Sequence, residues 1–324
     1  MGRDRAINVA MLAAAAVIYG ALFTVNRIAA EAGWPPVAFG AFQTIVAGVL
    51  LALYVRARGQ RLVPTRQHVW AYLFVGSLAL ALPAGLLTKA ASHVSPALLT
   101  LVLSFSPILT LLFAILVRLE RFRMRAVIAV LLGLTGVLLI ASPWSHAMSG
   151  TATGWFLIAL AAPVMFALSN IGAALLRPPD TDSTTMAAGV LAGGGLVALP
   201  VALLTNSALF PAAATAGAVW ALAAAVLINL CFTVLFFEII RRAGPTFFSL
   251  FNYMAIGAGV LWSIAVFGEL PPRVFWLALA IMLAGVYTAV GGKRSATLPE
   301  TSGAIDSGAE LVGNRRRPAA EERT

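Results

Sequence analysis

Apolar residues run along this chain in long blocks, and short polar or basic clusters separate them. A bilayer span takes about 20 apolar residues, because roughly 30 Å of hydrocarbon is crossed at about 1.5 Å per residue. Ten blocks approach or exceed that length: 7–28, 37–55, 69–90, 95–117, 126–142, 154–176, 185–205, 215–238, 245–267 and 273–291. Backbone groups in hydrocarbon must satisfy one another, so each block predicts a helix. The connections are short, which predicts an all-α membrane bundle without a soluble domain of useful size. From about Ser295 to Thr324 the chain turns polar and loses periodicity, and that stretch reads as a disordered tail.

A displacement of 149 positions lays the second half over the first. Pro96 falls on Pro245, Glu120 on Glu269 and Gly136 on Gly285, with no gap between them. Identity elsewhere is low, so the signal is the register of the rare residues. Each half holds five predicted spans, over residues 7–142 and 154–291. An odd number of spans per repeat makes the second copy insert upside down. Ten helices in two inverted five-helix repeats are a common architecture of secondary transporters.

Composition supports the membrane reading: 60% of residues are hydrophobic and 10% charged, where a soluble domain is about a quarter charged. The net charge of +10 raises nucleic acid as a partner, but the placement of the charges answers against it. With the N-terminus inside, the inner set is Arg3 and Arg5; Arg56, Arg58, Arg61 and Arg66; Arg118, Arg121, Arg123 and Arg125; Arg177; Arg241 and Arg242; Lys293 and Arg294. The outer set is Arg27, Lys89 and Arg273. Fifteen against three is a positive-inside asymmetry, which places both termini in the cytoplasm and the chain in the inner (plasma) membrane. Arg315, Arg316 and Arg317 fit a solvated tail better than a lipid contact.

The first block runs too long for the apolar core of a signal peptide, and nine spans follow it, so it reads as a retained anchor. The chain opens Met1-Gly2, but Ala6 misses the myristoylation pattern. The one cysteine, Cys231, leaves no internal disulfide and no cysteine metal cluster. His68, His93 and His146 lack metal-ligand spacing. With no G-x-S-x-G elbow and no P-loop, the expectation is no catalytic residue, no metal, no cofactor and no direct use of ATP.

Some of the rare residues have structural readings. Pro96 and Pro245 start spans four and nine, where a missing N–H is tolerated. Glu120 and Glu269 close those spans, where the helix dipole disfavours a carboxylate. Hydrogen bonds to free N–H groups opening the next helix would compensate. Gly133, Gly136, Gly285 and the group Gly189, Gly193, Gly194 and Gly195 let helices approach closely. Trp34, Trp70, Trp144 and Trp276 fall near span ends, as an interfacial belt does.

The same residues resemble the EamA-type pattern of the drug/metabolite transporter superfamily, over roughly residues 10–291. The first half has Tyr19–Gly20 with Asn26–Arg27, the stretch Ala90–Ala97, Pro107, Glu120, Gly133 and Gly136. The second has Gly244–Pro245, Asn252–Tyr253, Gly268–Glu269 and Gly285, with Ile256 where Pro107 has its counterpart. The resemblance implies a central cavity lined by spans 1, 3, 4, 6, 8 and 9, with spans five and ten peripheral. It also implies a small-metabolite substrate such as an amino acid, moved by a secondary active exporter or exchanger, as a monomer or homodimer. Export rests on the resemblance alone. A passive channel shares the composition, but the inverted repeat favours alternating access.

A polar group at membrane depth is costly unless paired or wetted, so each one is a functional candidate. Lys89 maps on Glu238 under the same displacement, at opposite mouths of the expected cavity. In one reading Lys89 attracts an anionic substrate group while buried Glu238 takes and releases a proton. In the other both side chains reach their nearer interface, with Arg241 and Arg242 available to pair with Glu238. Tyr19, Phe23 and Asn26 share a face of span one. Asn170, Ser249, Asn252 and Tyr253 complete the candidate cavity set, and Gln43 and Asn229 are further polar candidates. For the uncharged residues, hydrogen bonding between helices is the competing role.

Overall fold

The computed structural model describes residues 3–290 apart from 60–64, 92, 95–98, 100–101, 142–149, 180, 205–208, 214, 269 and 272. The elements among the described residues are helices: α1 Arg3–Glu31, α2 Pro36–Ala57, α3 Arg66–Gly76, α4 Leu82–Ala90, α5 Ser106–Leu116, α6 Met124–Ala141, α7 Gly150–Ala159, α8 Ala161–Leu175, α9 Ser183–Leu204, α10 Ala216–Ala243, α11 Pro245–Ser249, α12 Phe251–Phe267 and α13 Arg273–Val290. Seven stretches are long and apolar enough to cross a membrane: α1, α2, Arg66–Ala90, Thr153–Leu175, α9, α10 and Pro245–Phe267. Three shorter apolar helices, Ser106–Leu116, Met124–Leu139 and Arg273–Thr288, fall where spans four, five and ten are expected. The outward surface is apolar, with Leu196, Leu204 and Trp220 each at least two-thirds exposed, as contact with lipid requires.

Local chemistry accounts for most interruptions. Between α3 and α4 the backbone widens into a π turn at Ser77–Ala81, and Pro83 just beyond it has no N–H to give to the preceding turn. Pro163 follows the break at Leu160 between α7 and α8. Thr65 and Thr215 cap α3 and α10 by accepting from His68 N and Ala218 N. Although Ile256 replaces the proline of span four, the ninth span is still interrupted, at Leu250 between α11 and α12.

Close packing sets the framework. On α6 and α13, a Cβ at Gly136 would stand 2.8 Å from the Ala278 carbonyl oxygen, and one at Gly285 would stand 2.7 Å from that of Ala129. Both Gly136/Gly285 and Ala129/Ala278 are 149 apart, so the two contacts are the same contact made in both directions. Helices α2 and α9 repeat the arrangement. Gly48 lies against Ala192, and Gly195 against Ile45, with both pairs of equivalent residues 147 apart. In each pair the contacts run antiparallel.

The tryptophans divide. Trp70 and Trp276 are exposed at helix starts. Trp34 is buried, gives its indole N–H to the Ala218 carbonyl at 3.0 Å, and packs on Phe39 and Phe42. Trp144 lies outside the described residues.

Candidate functional site

Tyr19 joins three elements. Its ring lies 4.4 Å from Phe232 on α10 and 5.4 Å from Phe251 on α12. Phe23 sits edge-on one turn further along α1, and Asn26 is exposed beyond it. Across the bundle, Asn170 on α8 gives an amide hydrogen to the Thr110 hydroxyl of α5 at 3.2 Å. Asn252 is half-buried on α12 and Lys89 is exposed on the last turn of α4.

Other candidates serve the fold. Tyr253 is fully buried, its hydroxyl within 3.3 Å of the Ser104 carbonyl and 3.2 Å of the Val130 carbonyl, with its ring against Gly133. It therefore braces α12 against the first half in this structure and does not line an open cavity. Ser249 is also fully buried and spends its hydroxyl on the Thr246 carbonyl at 2.8 Å. Gln43 and Asn229 bond to each other at 3.0 Å, tying α2 to α10.

The polar chemistry collects at the end of the bundle that carries the arginine-rich turns. Glu238, expected as a buried proton carrier, is tied there into ion pairs with Arg241 and Arg242 and accepts from Ser183 Oγ at 2.8 Å. These partners compensate its charge in place. Glu120 closes span four as expected, but its carboxylate does not cap the helix that follows it. It accepts from Thr246 N at 3.1 Å, in the first turn of α11 in the other half. Gly244 makes the approach possible: its φ of 88° suits glycine, and a Cβ there would stand 2.8 Å from Glu120 Oε1. Burial pushes the Glu120 carboxyl above the usual carboxylate range, while the Thr246 hydrogen bond and the Arg123 charge pull it back. Pro245 opens α11. Pro96 and Glu269 lie outside the described residues.

Arg177 is the residue the sequence reading passed over, counting it only as a charge. Its Nε and Nη2 give hydrogen bonds to the Thr181 carbonyl at 2.9 and 2.6 Å, bracing the turn before α9. The signal available was its isolation as the one basic residue between spans six and seven. Leu119, Glu120, Ala173, Ala174, Arg177, Ile240, Arg241, Gly244 and Pro245 enclose a cavity of about 300 Å³ at this end. Among the described residues no three histidine, cysteine or acidic side chains gather to hold a metal ion.

Comparison with known proteins adds the family. The model of the EamA-like transporter family matches residues 6–142. The inner membrane transporter YedA of Escherichia coli K12 is 26% identical over 289 residues, covering 86% of this chain and 88% of its own. The YedA of strain O157:H7 matches to the same extent. A crystal structure of another protein superposes with a TM-score of 0.73 at 17% identity, over 87% of this chain and 96% of that one, a likeness of fold.

Proposed function

The chain is an EamA-type member of the drug/metabolite transporter superfamily, and from that premise we propose a secondary active carrier for a small metabolite. Its homologue's place in the inner membrane and its own charge asymmetry support a multi-pass protein there with both termini in the cytoplasm. Ten spans form two inverted five-helix units, and alternating access exchanges the roles of the units about a central site. The observation that carries this reading is the reciprocal packing of α6 on α13 and of α2 on α9. Contacts made twice, in both directions, are what a two-fold axis between the halves produces.

The aromatic contacts of Tyr19 support a cavity wall built from spans one, eight and nine. The Asn170–Thr110 bond supports the facing wall from spans six and four. A substrate such as an amino acid passes between them, with Lys89 drawing its acidic group at the outer mouth, in export or exchange. The test is initial uptake of labelled amino acids and other small metabolites into proteoliposomes, with and without a pH gradient. A carrier saturates with at least one compound and loses affinity for it in Lys89→Ala. Flux that stays linear with concentration for every compound fits a passive channel and sinks the carrier.

A further inference from the structure

We propose that the cavity at the arginine-rich end is a binding site for a small soluble oxyanion, a carboxylate or phosphate group, held by Arg177 together with Arg241. Three observations meet there. The cavity measures about 300 Å³, room for an ion of that class beside its lining residues. Two of those residues carry guanidinium groups. The third observation is an unspent donor: Arg177 Nη1 is buried without a hydrogen-bond partner among the described residues, although Nε and Nη2 are both in use. A buried guanidinium N–H left unpaired costs more than a satisfied one, and an oxyanion is the partner its geometry matches.

The charges around the cavity set the valence. Around the cavity Arg123, Arg177, Arg241 and Arg242 stand with Glu120, Asp182 and Glu238, four positive charges with three negative, which leaves one positive charge for a monoanion. The crowding is already felt at Arg177, whose proton affinity is lowered first by burial and then by the Arg241 charge. A bound anion offsets both by favouring the charged guanidinium. It also competes with Glu238 for Arg241, and Glu238 is held on its other side by Ser183 of α9. Arg241 and Glu238 both lie on α10, so occupancy loosens a pair within that helix and leaves the Ser183–Glu238 tie to α9 in place.

The probe is inorganic phosphate, added to the full-length protein in non-ionic detergent, against potassium chloride of equal ionic strength to remove general screening. Intrinsic tryptophan fluorescence reports the melting temperature. Phosphate raises it saturably. Arg177→Gln moves half-saturation upward by about tenfold or more, equivalent to about 1.4 kcal/mol, and Arg177→Lys recovers part of the loss. Ala174→Leu, which fills the cavity without touching a charge, abolishes the response, so a folding defect in the arginine variant leaves the test intact. Arg273→Gln, outside the cavity, responds as the parent does. No saturable rise beyond chloride overturns the site, as does a response confined to phosphatidylglycerol in nanodiscs, which marks a lipid contact. Binding is read without transport, so a phosphate response with unsaturable uptake strikes the carrier reading and leaves this site standing.

Discussion

Glu120 reaches out of the first half to cap the first turn of α11 in the second. The charge there is tolerated because a backbone N–H meets it, yet burial still favours the neutral acid. A carboxyl whose folded value is raised stabilises fully below its unfolded value of about 4.3, and that contribution is lost as pH rises through the folded value. Glu120→Gln keeps an oxygen to accept from Thr246 and removes the titration. The melting temperature of the parent therefore falls relative to Glu120→Gln as pH rises from about 4 to about 8. Parallel curves over that range would contradict the assignment. The end of span four was legible in the sequence as a place for a carboxylate; its partner was not. Local spacing points to the next helix in the chain, and the true partner lies 126 residues away.

Between elements, the reciprocal contacts were legible where register and residue type agree. Gly136 and Gly285 share a letter and a displacement of 149, and each meets a backbone carbonyl of the partner helix. Gly48 and Gly195 do the same work between α2 and α9, but their displacement is 147, so a single register hides them. A leucine at Gly136 or Gly285 must push α6 and α13 apart, at a cost of about 1–3 kcal/mol each. The two losses match because the sites are equivalent, whereas Gly154→Leu on α7, where a Cβ meets no atom within 4 Å, changes little. Thermal melting in detergent decides; a neutral Gly136→Leu would remove the close contact from the account. Tyr253 shows where the sequence falls short. A polar tip at membrane depth serves a cavity or a helix interface equally well, and only packing against Gly133 and two carbonyls tells them apart.

For the whole molecule, length and charge placement point to a membrane bundle, and the helices follow the apolar blocks closely. The gathering of Glu120, Arg177, Ser183, Glu238 and Arg241 at one end was out of reach, because it assembles three stretches far apart in sequence. Lys89 and Glu238 remain equivalent positions of opposite charge, but the Glu238 side is closed by arginines and the Lys89 side is exposed. Unlike ends on the proposed two-fold scaffold suit directional movement of a charged solute. The direct test of alternating access is exchange in proteoliposomes with a compound that is taken up saturably. Loading the lumen with that compound unlabelled raises the initial rate of labelled uptake several-fold, because the loaded carrier reorients faster than the empty one. An initial rate indifferent to the lumenal content would contradict the carrier built from these two halves.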